Sequence, residues 1–412
     1  MTLQKLYDMY VEKYSNPVSF SSFRLIYHTN FNLRRKPLQK DTCSTCDSFE
    51  CAKKGALNKT ELDEITAKHN LHLSLASEAR EMMTKDREDA KENASLETLT
   101  FDLEQTLPIP RLPSGILFYK RQLMLYNCGV HSGTDESGYC YTWLEGVAGR
   151  GAQEVGSVLK KHLKGLPPSV TEVKCWSDSC GGQNRNIKIV LILKSCLEET
   201  ENLKKITLNF LIPGHTYLPN DKDFGDIECA LKHQQRLYNQ ADYEQVMRKA
   251  RKKNPLVVKS MLKEEFFGTC QIEKNITNRK KDVRKNKINW LETRSIQLHR
   301  DKPHSIFMSK NFNKDYVEVD IEKKSRGFKR PNTFYSTKLV PLWPDGKPIS
   351  VEKLNDINSY LHLIPPDCQD FFKNLTSSAD IIDDVDGFNG VLDFDVEEFI
   401  DDDLPRDTEA EA

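Results

Sequence analysis

Residues 172–199 read EVKCWSDSCGGQNRNIKIVLILKSCLEE, and the architecture turns on how this stretch is parsed. EVKCWSDS is a short apolar run, whereas NRNIKIVLILKSCLEE is twice as long and polar at both ends. Runs of about four to eight apolar residues fit a buried strand and runs beyond about ten fit a helix. The junction therefore predicts a strand feeding a helix through a turn of Cys, Ser, Gly and Asn. Asp178 stands at that junction and admits two readings. Either it or Ser179 caps the following helix, or it is a metal ligand at the lip of a sheet.

The flanking segments supply the context. ETLTFDLEQTLPIP (97–110) reads as a strand broken by prolines, and LMLYNCGVHS (123–132) and GYCYTWLEGV (138–147) as two more, separated by the turn SGTDES. Together they predict an antiparallel meander. GAQEVGSVLKKHLKGL (151–166) has apolar residues at helical spacing; KKITLNFLIPG (204–214) reads as a strand and DIECALKHQQRLYNQ (226–240) as a helix. The order over residues 98–250 is β-β-β-α-β-α-β-α. It resembles the RNase H-like fold, which implies an α/β core with a mixed five-stranded sheet and helices on both sides. In that fold the catalytic carboxylates come from the first strand, the end of the neighbouring fourth strand, and the region of the last helix. Here those places hold Asp102, Asp178 and, within PGHTYLPNDKDFGDIE, the four acids Asp221, Asp223, Asp226 and Glu228. Asp221 is favoured because GHTYLPNDKDFG resembles a GHTxxxxDxxFG pattern of transposon proteins; Asp226 and Glu228 are the alternatives. His215 is then the candidate for contact with a substrate phosphate or the attacking water. Taken singly, Asp102 reads as a surface carboxylate beside Glu104, and His215 as a turn residue satisfied by backbone; the element order is what favours the site.

Carboxylates gathered in this way suit Mg2+ or Mn2+, which take oxygen ligands and leave positions for water and phosphate oxygens. Two such ions about 3.5–4 Å apart serve phosphodiester cleavage and strand transfer. Gln183, Asn184 and Arg185, with Asn186, place amide and guanidinium donors at a helix start, where a phosphodiester backbone is well received. No GK[ST] follows, so this is not a nucleotide-triphosphate loop. Glu145, Arg150 and Glu154 either line the same cleft or form a solvated helix start.

Upstream, residues 1–36 predict two or three helices, LQKLYDMYVEKY and SFSSFRLIYHTNF, the second opened by a serine-rich cap. With Arg24, Arg34, Arg35 and Lys36 they read either as a helix-turn-helix-like DNA reader or as a helical lead-in. Residues 37–97 hold Cys43 and Cys46 in a CxxC knuckle, then His69 and His72, which share a face if helical. Two thiolates and two imidazoles suit structural Zn2+, although the spacing C-x2-C-x22-H-x2-H departs from common finger patterns and Cys51 is a further candidate. Residues 77–98 read as a solvated helix and linker.

The net charge of −1 conceals an asymmetry. From Ile381 to Ala412 there are thirteen acids against one Arg, a local −12 that leaves +11 on residues 1–380. A basic body suits phosphate neutralisation, and the tail at 376–412 reads as a disordered, partner-docking segment. The basic runs RKARKKNP and NRKKDVRKNKINW supply Arg251, Lys252, Lys253, Arg279, Lys280 and Lys281 as phosphate-contacting and nuclear-import candidates. Residues 251–375 are otherwise expected to form a small β/α appendix. No apolar run approaches the ~20 residues of a membrane span. With no secretory signal, the eleven cysteines are expected to be reduced in an intracellular protein without a membrane partner.

FDLEQTLPIP, YNCGVH, WLEGVAGRGAQEV, WSDSCGGQNRN and GHTYLPNDKDFG, with DTCSTCD and KHNLHL upstream, resemble a transposon-derived, largely uncharacterised invertebrate protein family with an RNase H-like DDE/DDD transposase core. The resemblance runs over roughly residues 15–370. It implies metal-dependent DNA cleavage and strand transfer in the nucleus, with self-association. The alternatives are a domesticated, non-catalytic DNA-binding regulator that recruits nuclear partners through the acidic tail, and a nuclease acting on RNA or hybrids.

Overall fold

A computed structural model describes residues 3–31, 42–274, 281–312, 314–321 and 338–381. Arg34, Arg35, Lys36, Arg279, Lys280 and the tail from 382 onward lie outside the described residues. The chain divides into two compact units, residues 1–66 and 67–412.

The first unit is helical. α1 (Leu3–Lys13) and α2 (Phe20–Asn30) meet through an aromatic cluster, with Tyr7 5.1 Å from Phe20 and Tyr10 5.2 Å from Phe23 between ring centroids. Ser19 caps α2 by accepting the Ser22 N–H, as the serine-rich start predicts. α3 spans Ser44–Gly55. α4 (Lys59–Glu92), one continuous 34-residue helix, begins in this unit and continues into the second.

The second unit is mixed α/β. Its main strands are β1 (Leu96–Leu103), β2 (Leu107–Ile109), β3 (Leu123–Ser132), β4 (Gly138–Leu144), β5 (Glu172–Ser177), β6 (Lys205–Phe210), β7 (Val257–Ser260), β9 (Ser295–His299), β10 (Ser305–Ser309) and β11 (Val317–Asp320). The intervening β8 (Phe267–Gly268) pairs instead with Val340–Pro341. The main helices are α5 (Ala152–Lys164), α6 (Ile187–Glu199), α7 (Pro219–Leu231) and α8 (Gln240–Lys249). The sheet has ten strands in the order β11-β10-β9-β6-β5-β1-β3-β4-β7, with β2 pairing β3. β1 runs antiparallel to β3 and parallel to β5, and β5 runs parallel to β6.

The sheet is thus larger than the five strands expected. Segments read as a separate β/α appendix instead extend it, β7 beside β4 and β9 beside β6. Both edges would otherwise present unpaired backbone groups.

Alternation along the strands distributes side chains to two faces. Leu99, Phe101, Val173 and Cys175 point into a core shared with Val155, Val158 and Leu159 of α5 and Ile189, Val190 and Leu193 of α6. Leu123, Leu125 and Cys140 face a second core with Ile227 and Leu231 of α7 and Tyr243 and Met247 of α8.

A third cluster joins Ala76, Ala79 and Met83 of α4 to Trp176, Leu211, Ile212 and Leu218. That corrects the expectation of a solvated helix over 77–98. Ala76, Ala79, Met83, Asp86 and Ala90 are buried at three- and four-residue spacing, the period of a single helix stripe. Buried Asp86 accepts from Lys174 Nζ at 2.5 Å and Trp176 Nε1 at 3.0 Å, fastening α4 to β5. Among the described residues no helix is long and apolar enough to cross a membrane.

Candidate functional site

On β1 the residues facing away from the α5–α6 core are Thr98, Thr100 and Asp102. Thr98 donates to the Asp86 carbonyl on α4 and Thr100 to the Asn220 side chain on α7. Asp102 continues that row. The parallel β1–β5 register pairs Leu96 with Glu172 and Thr100 with Trp176. Continued two residues further, it sets Asp102 alongside Asp178, one residue past the end of β5.

Electrostatics agrees with the register. Burial pushes the Asp102 carboxyl up to about 7, and the negative charges of Asp178 and Asp221 push in the same direction, while the Leu103 N–H opposes them from 2.8 Å. Asp178 Oδ1 accepts from the Cys180 N–H at 3.1 Å and from the Asn184 side-chain amide. Asp221, in the first turn of α7, accepts the Leu218 N–H at 3.0 Å, and burial raises its carboxyl.

The other acids of that segment have different neighbours. Asp223 is buried between Arg251 Nη1 at 2.5 Å and His131 Nδ1 at 2.7 Å. Asp226 lies 3.7 Å from the same Arg251. Glu228 acts on Glu104, whose carboxyl burial pushes up to about 7. Charge coupling therefore ties Asp221 and Asp178 to Asp102, whereas Asp223 belongs to an ion-pair network.

In the sequence Glu104 stands out only as a neighbour of Asp102. It is buried, its Oε2 accepts from Asn127 at 2.8 Å, and its Oε1 makes no hydrogen bond. With Gln105, Thr106, Arg150 and Gln183 it lines a cleft of about 330 Å3. Its position two residues after Asp102 on an alternating strand was the available signal.

The 178–186 segment is a loop. Asn186, rather than Asp178 or Ser179, caps α6 by accepting the Lys188 N–H at 2.9 Å. Asp178 is thereby relieved of the bland capping role. Gln183 donates to the Arg150 carbonyl at 3.2 Å. Arg185 donates to the carbonyls of Leu291 and Thr293 at 2.6 and 3.4 Å, so its guanidinium braces the turn before β9. Arg251 is engaged by Asp223, whereas Lys252, Lys253 and Lys281 are exposed. Glu154 accepts the N–H groups of Gly149 and Gly151, and Glu145 pairs with Lys353 at 2.8 Å. Of Glu145, Arg150 and Glu154, Arg150 alone lines the cleft.

Two further pairs of candidate ligands belong to separate units. In the first unit, Cys43 is the N-cap residue of α3 and Cys46 lies in its first turn. Burial and the adjacent Cys43 raise the Cys46 thiol. In the second unit, His72 Nε2 on α4 lies 3.1 Å from His215 Nε2. His215 follows β6, and burial with the charges of Arg80 and His69 lowers its imidazole from the usual value. His69 is buried one turn before His72.

A family described as a domain of unknown function (DUF7869) matches residues 155–315, a segment holding Asp178, His215 and Asp221 and excluding Asp102. No curated protein and no solved structure matches the chain.

Proposed function

We propose that the protein is a transposon-derived DNA transposase or endonuclease that cleaves or transfers phosphodiester strands at Asp102, Asp178 and Asp221, acting in the nucleus. One observation carries the reading. A half-buried aspartate on β1 is driven up to about 7 by desolvation and by two further acids, within a sheet whose central order β4-β3-β1-β5-β6 resembles the RNase H-like arrangement.

The three carboxylates would hold Mg2+ or Mn2+. The fit rests on their chemistry: oxygen donors suit hard cations, and a crowded, half-buried acid is short of positive charge. When bound, such ions stabilise charge on the attacking and leaving oxygens of a phosphodiester. The chain's own groups hold the oxygens in place, the Leu103 N–H on Asp102, the Cys180 N–H and Asn184 amide on Asp178, and the Leu218 N–H on Asp221. Arg150 and Gln183, at the adjoining cleft, are placed to meet phosphate oxygens. Exposed Lys252 and Lys253 attract the backbone without reading sequence.

The test is cleavage of supercoiled plasmid by the full chain in Mg2+ or Mn2+, wild type against Asp178→Asn. Nicking by the wild type that the variant loses supports the enzyme. A second reading, a non-catalytic DNA-binding descendant, draws on the +11 charge of residues 1–380. It predicts that both proteins bind DNA and neither cuts.

A further inference from the structure

The cleft beside the acids is built by the same two segments that carry them. Residues 103–106 follow Asp102 directly, and Gln183 comes from the loop that begins at Asp178. Glu104 stands in its wall. The Glu104 N–H donates to the Asn127 carbonyl at 2.9 Å, and its Oε2 accepts from the Asn127 amide at 2.8 Å, so backbone and carboxyl are both held. Its Oε1 is buried and makes no hydrogen bond. A buried carboxyl with an unmatched acceptor works against folding, and the charge of Glu228 works against it as well. A ligand that brings hydrogen-bond donors would offset both.

At about 330 Å3 the cleft is at the small end of ligand pockets, which span about 300–1,000 Å3. It admits one nucleobase with its sugar and excludes a base pair. Glu104 lies two residues beyond Asp102, about 6.5 Å along an extended chain and close to two steps of a stacked strand at ~3.4 Å each. A strand whose phosphate lies at the acids therefore has a nucleotide at the cleft. Arg150, on the same cleft, supplies donors for its phosphate. Bases that enter a protein pocket are read along their pairing edge. Of the four, guanine presents two adjacent N–H donors there, N1–H and the 2-amino group. Adenine and cytosine set an acceptor nitrogen beside their amino group, and thymine sets a carbonyl on each side of its N–H. Each of these would turn a lone pair toward the carboxylate.

We propose that this cleft holds one unpaired guanine, whose N1–H and 2-amino group donate to the Glu104 carboxylate. It is a base-reading site beside the cutting site, and it rests on the reading that the substrate is DNA.

The experiment measures binding of the full chain to fluorescently labelled, single-stranded oligothymidylates by anisotropy, with no divalent metal added so that no strand is cut. The probes carry one central guanine, hypoxanthine, adenine or cytosine, or thymine throughout. The guanine probe should bind about tenfold tighter than the all-thymine one, the discrimination expected of one bidentate base contact. Hypoxanthine, which keeps N1–H and lacks the 2-amino group, should lose most of that gain. Glu104→Gln turns one acceptor into a donor and should bring guanine down to the level of the other bases.

The comparison of guanine with hypoxanthine needs no variant, so it decides the matter even if Glu104→Gln fails to fold. Equal binding of all five probes by the wild type, or a guanine preference that survives in Glu104→Gln, would overturn the assignment. Equal binding together with intact plasmid nicking removes the base-reading site and spares the nuclease. A guanine preference that Glu104→Gln loses, in a protein that nicks nothing, keeps the site and removes the nuclease. A chain that binds none of the probes defeats both.

Discussion

Replacing Asp102 by Asn should stabilise the protein above neutral pH when no magnesium or manganese is added. In the fold, burial and the charges of Asp178 and Asp221 raise its carboxyl from 3.8 to about 7. The folded value lies above the unfolded one, so between those limits the folded chain keeps a proton that the unfolded chain releases. Stability from this group therefore falls as pH rises through the window and levels off beyond about 7. At about 1.36 kcal/mol per pH unit, ionising Asp102 opposes folding by roughly 4 kcal/mol at pH 8 and by less than half of that at pH 5.

Asn removes the charge while keeping an Oδ1 that can accept the Leu103 N–H, now made at 2.8 Å. Urea unfolding of both proteins at several values between pH 5 and 8 measures the gap. The difference between variant and wild type isolates Asp102 from Glu104, whose carboxyl is also raised to about 7. A gap that favours Asn and widens with pH is expected, and added Mg2+ should then stabilise the wild type alone. A variant no more stable than wild type at pH 8, or a gap independent of pH, would refute the crowding on which the acidic site is argued.

The neighbouring acids of α7 should separate cleanly. Asp223→Asn leaves Arg251 and His131 without their buried partner and should cost about 3–5 kcal/mol in urea unfolding. Asp221→Asn should shift stability by only about 1 kcal/mol while abolishing plasmid nicking. Gly129→Ala would put a methyl 2.7 Å from the Phe224 ring and 3.2 Å from Asn220. An overpacked contact of this kind should cost about 1–3 kcal/mol, visible as a lowered melting temperature. Burial, with Lys259, lowers His162 to about 3 from 6.5, so unfolded chains take up its proton first as pH falls. Its share of stability is complete above 6.5 and should decline by roughly 1.4 kcal/mol per pH unit toward 3. In acid titrations followed by circular dichroism, His162→Gln should lack that slope.

Much of the core was legible because its signals are local. Alternation in ETLTFDL and the length of NRNIKIVLILKSCLEE separate strand from helix without knowledge of any neighbour. Element order follows directly, and so does the placement of Asp102 in one strand and Asp178 just past the end of another, where a shared register can bring them together. The charge imbalance of the tail is likewise a property of composition alone, and no folding was needed to see it.

Tertiary structure decided what depends on distant partners. Four acids within eight residues look alike in sequence. Only the packing of α7 assigns Asp223 to Arg251 and His131, and Asp221 to the vicinity of Asp102. RKARKKNP gives no sign that Arg251 is engaged by Asp223 while Lys252 and Lys253 remain exposed. His69 and His72 share a helix face by spacing, yet the nitrogen beside His72 belongs to His215, from a loop that only the folded β6–α7 connection brings there. The sequence alone makes the strands beyond residue 250 look like an appendix, because edge pairing is a contact between segments far apart in the chain. Periodicity reports which face a residue turns inward; which charge or ligand it meets there is set by chain reversals that no local pattern encodes.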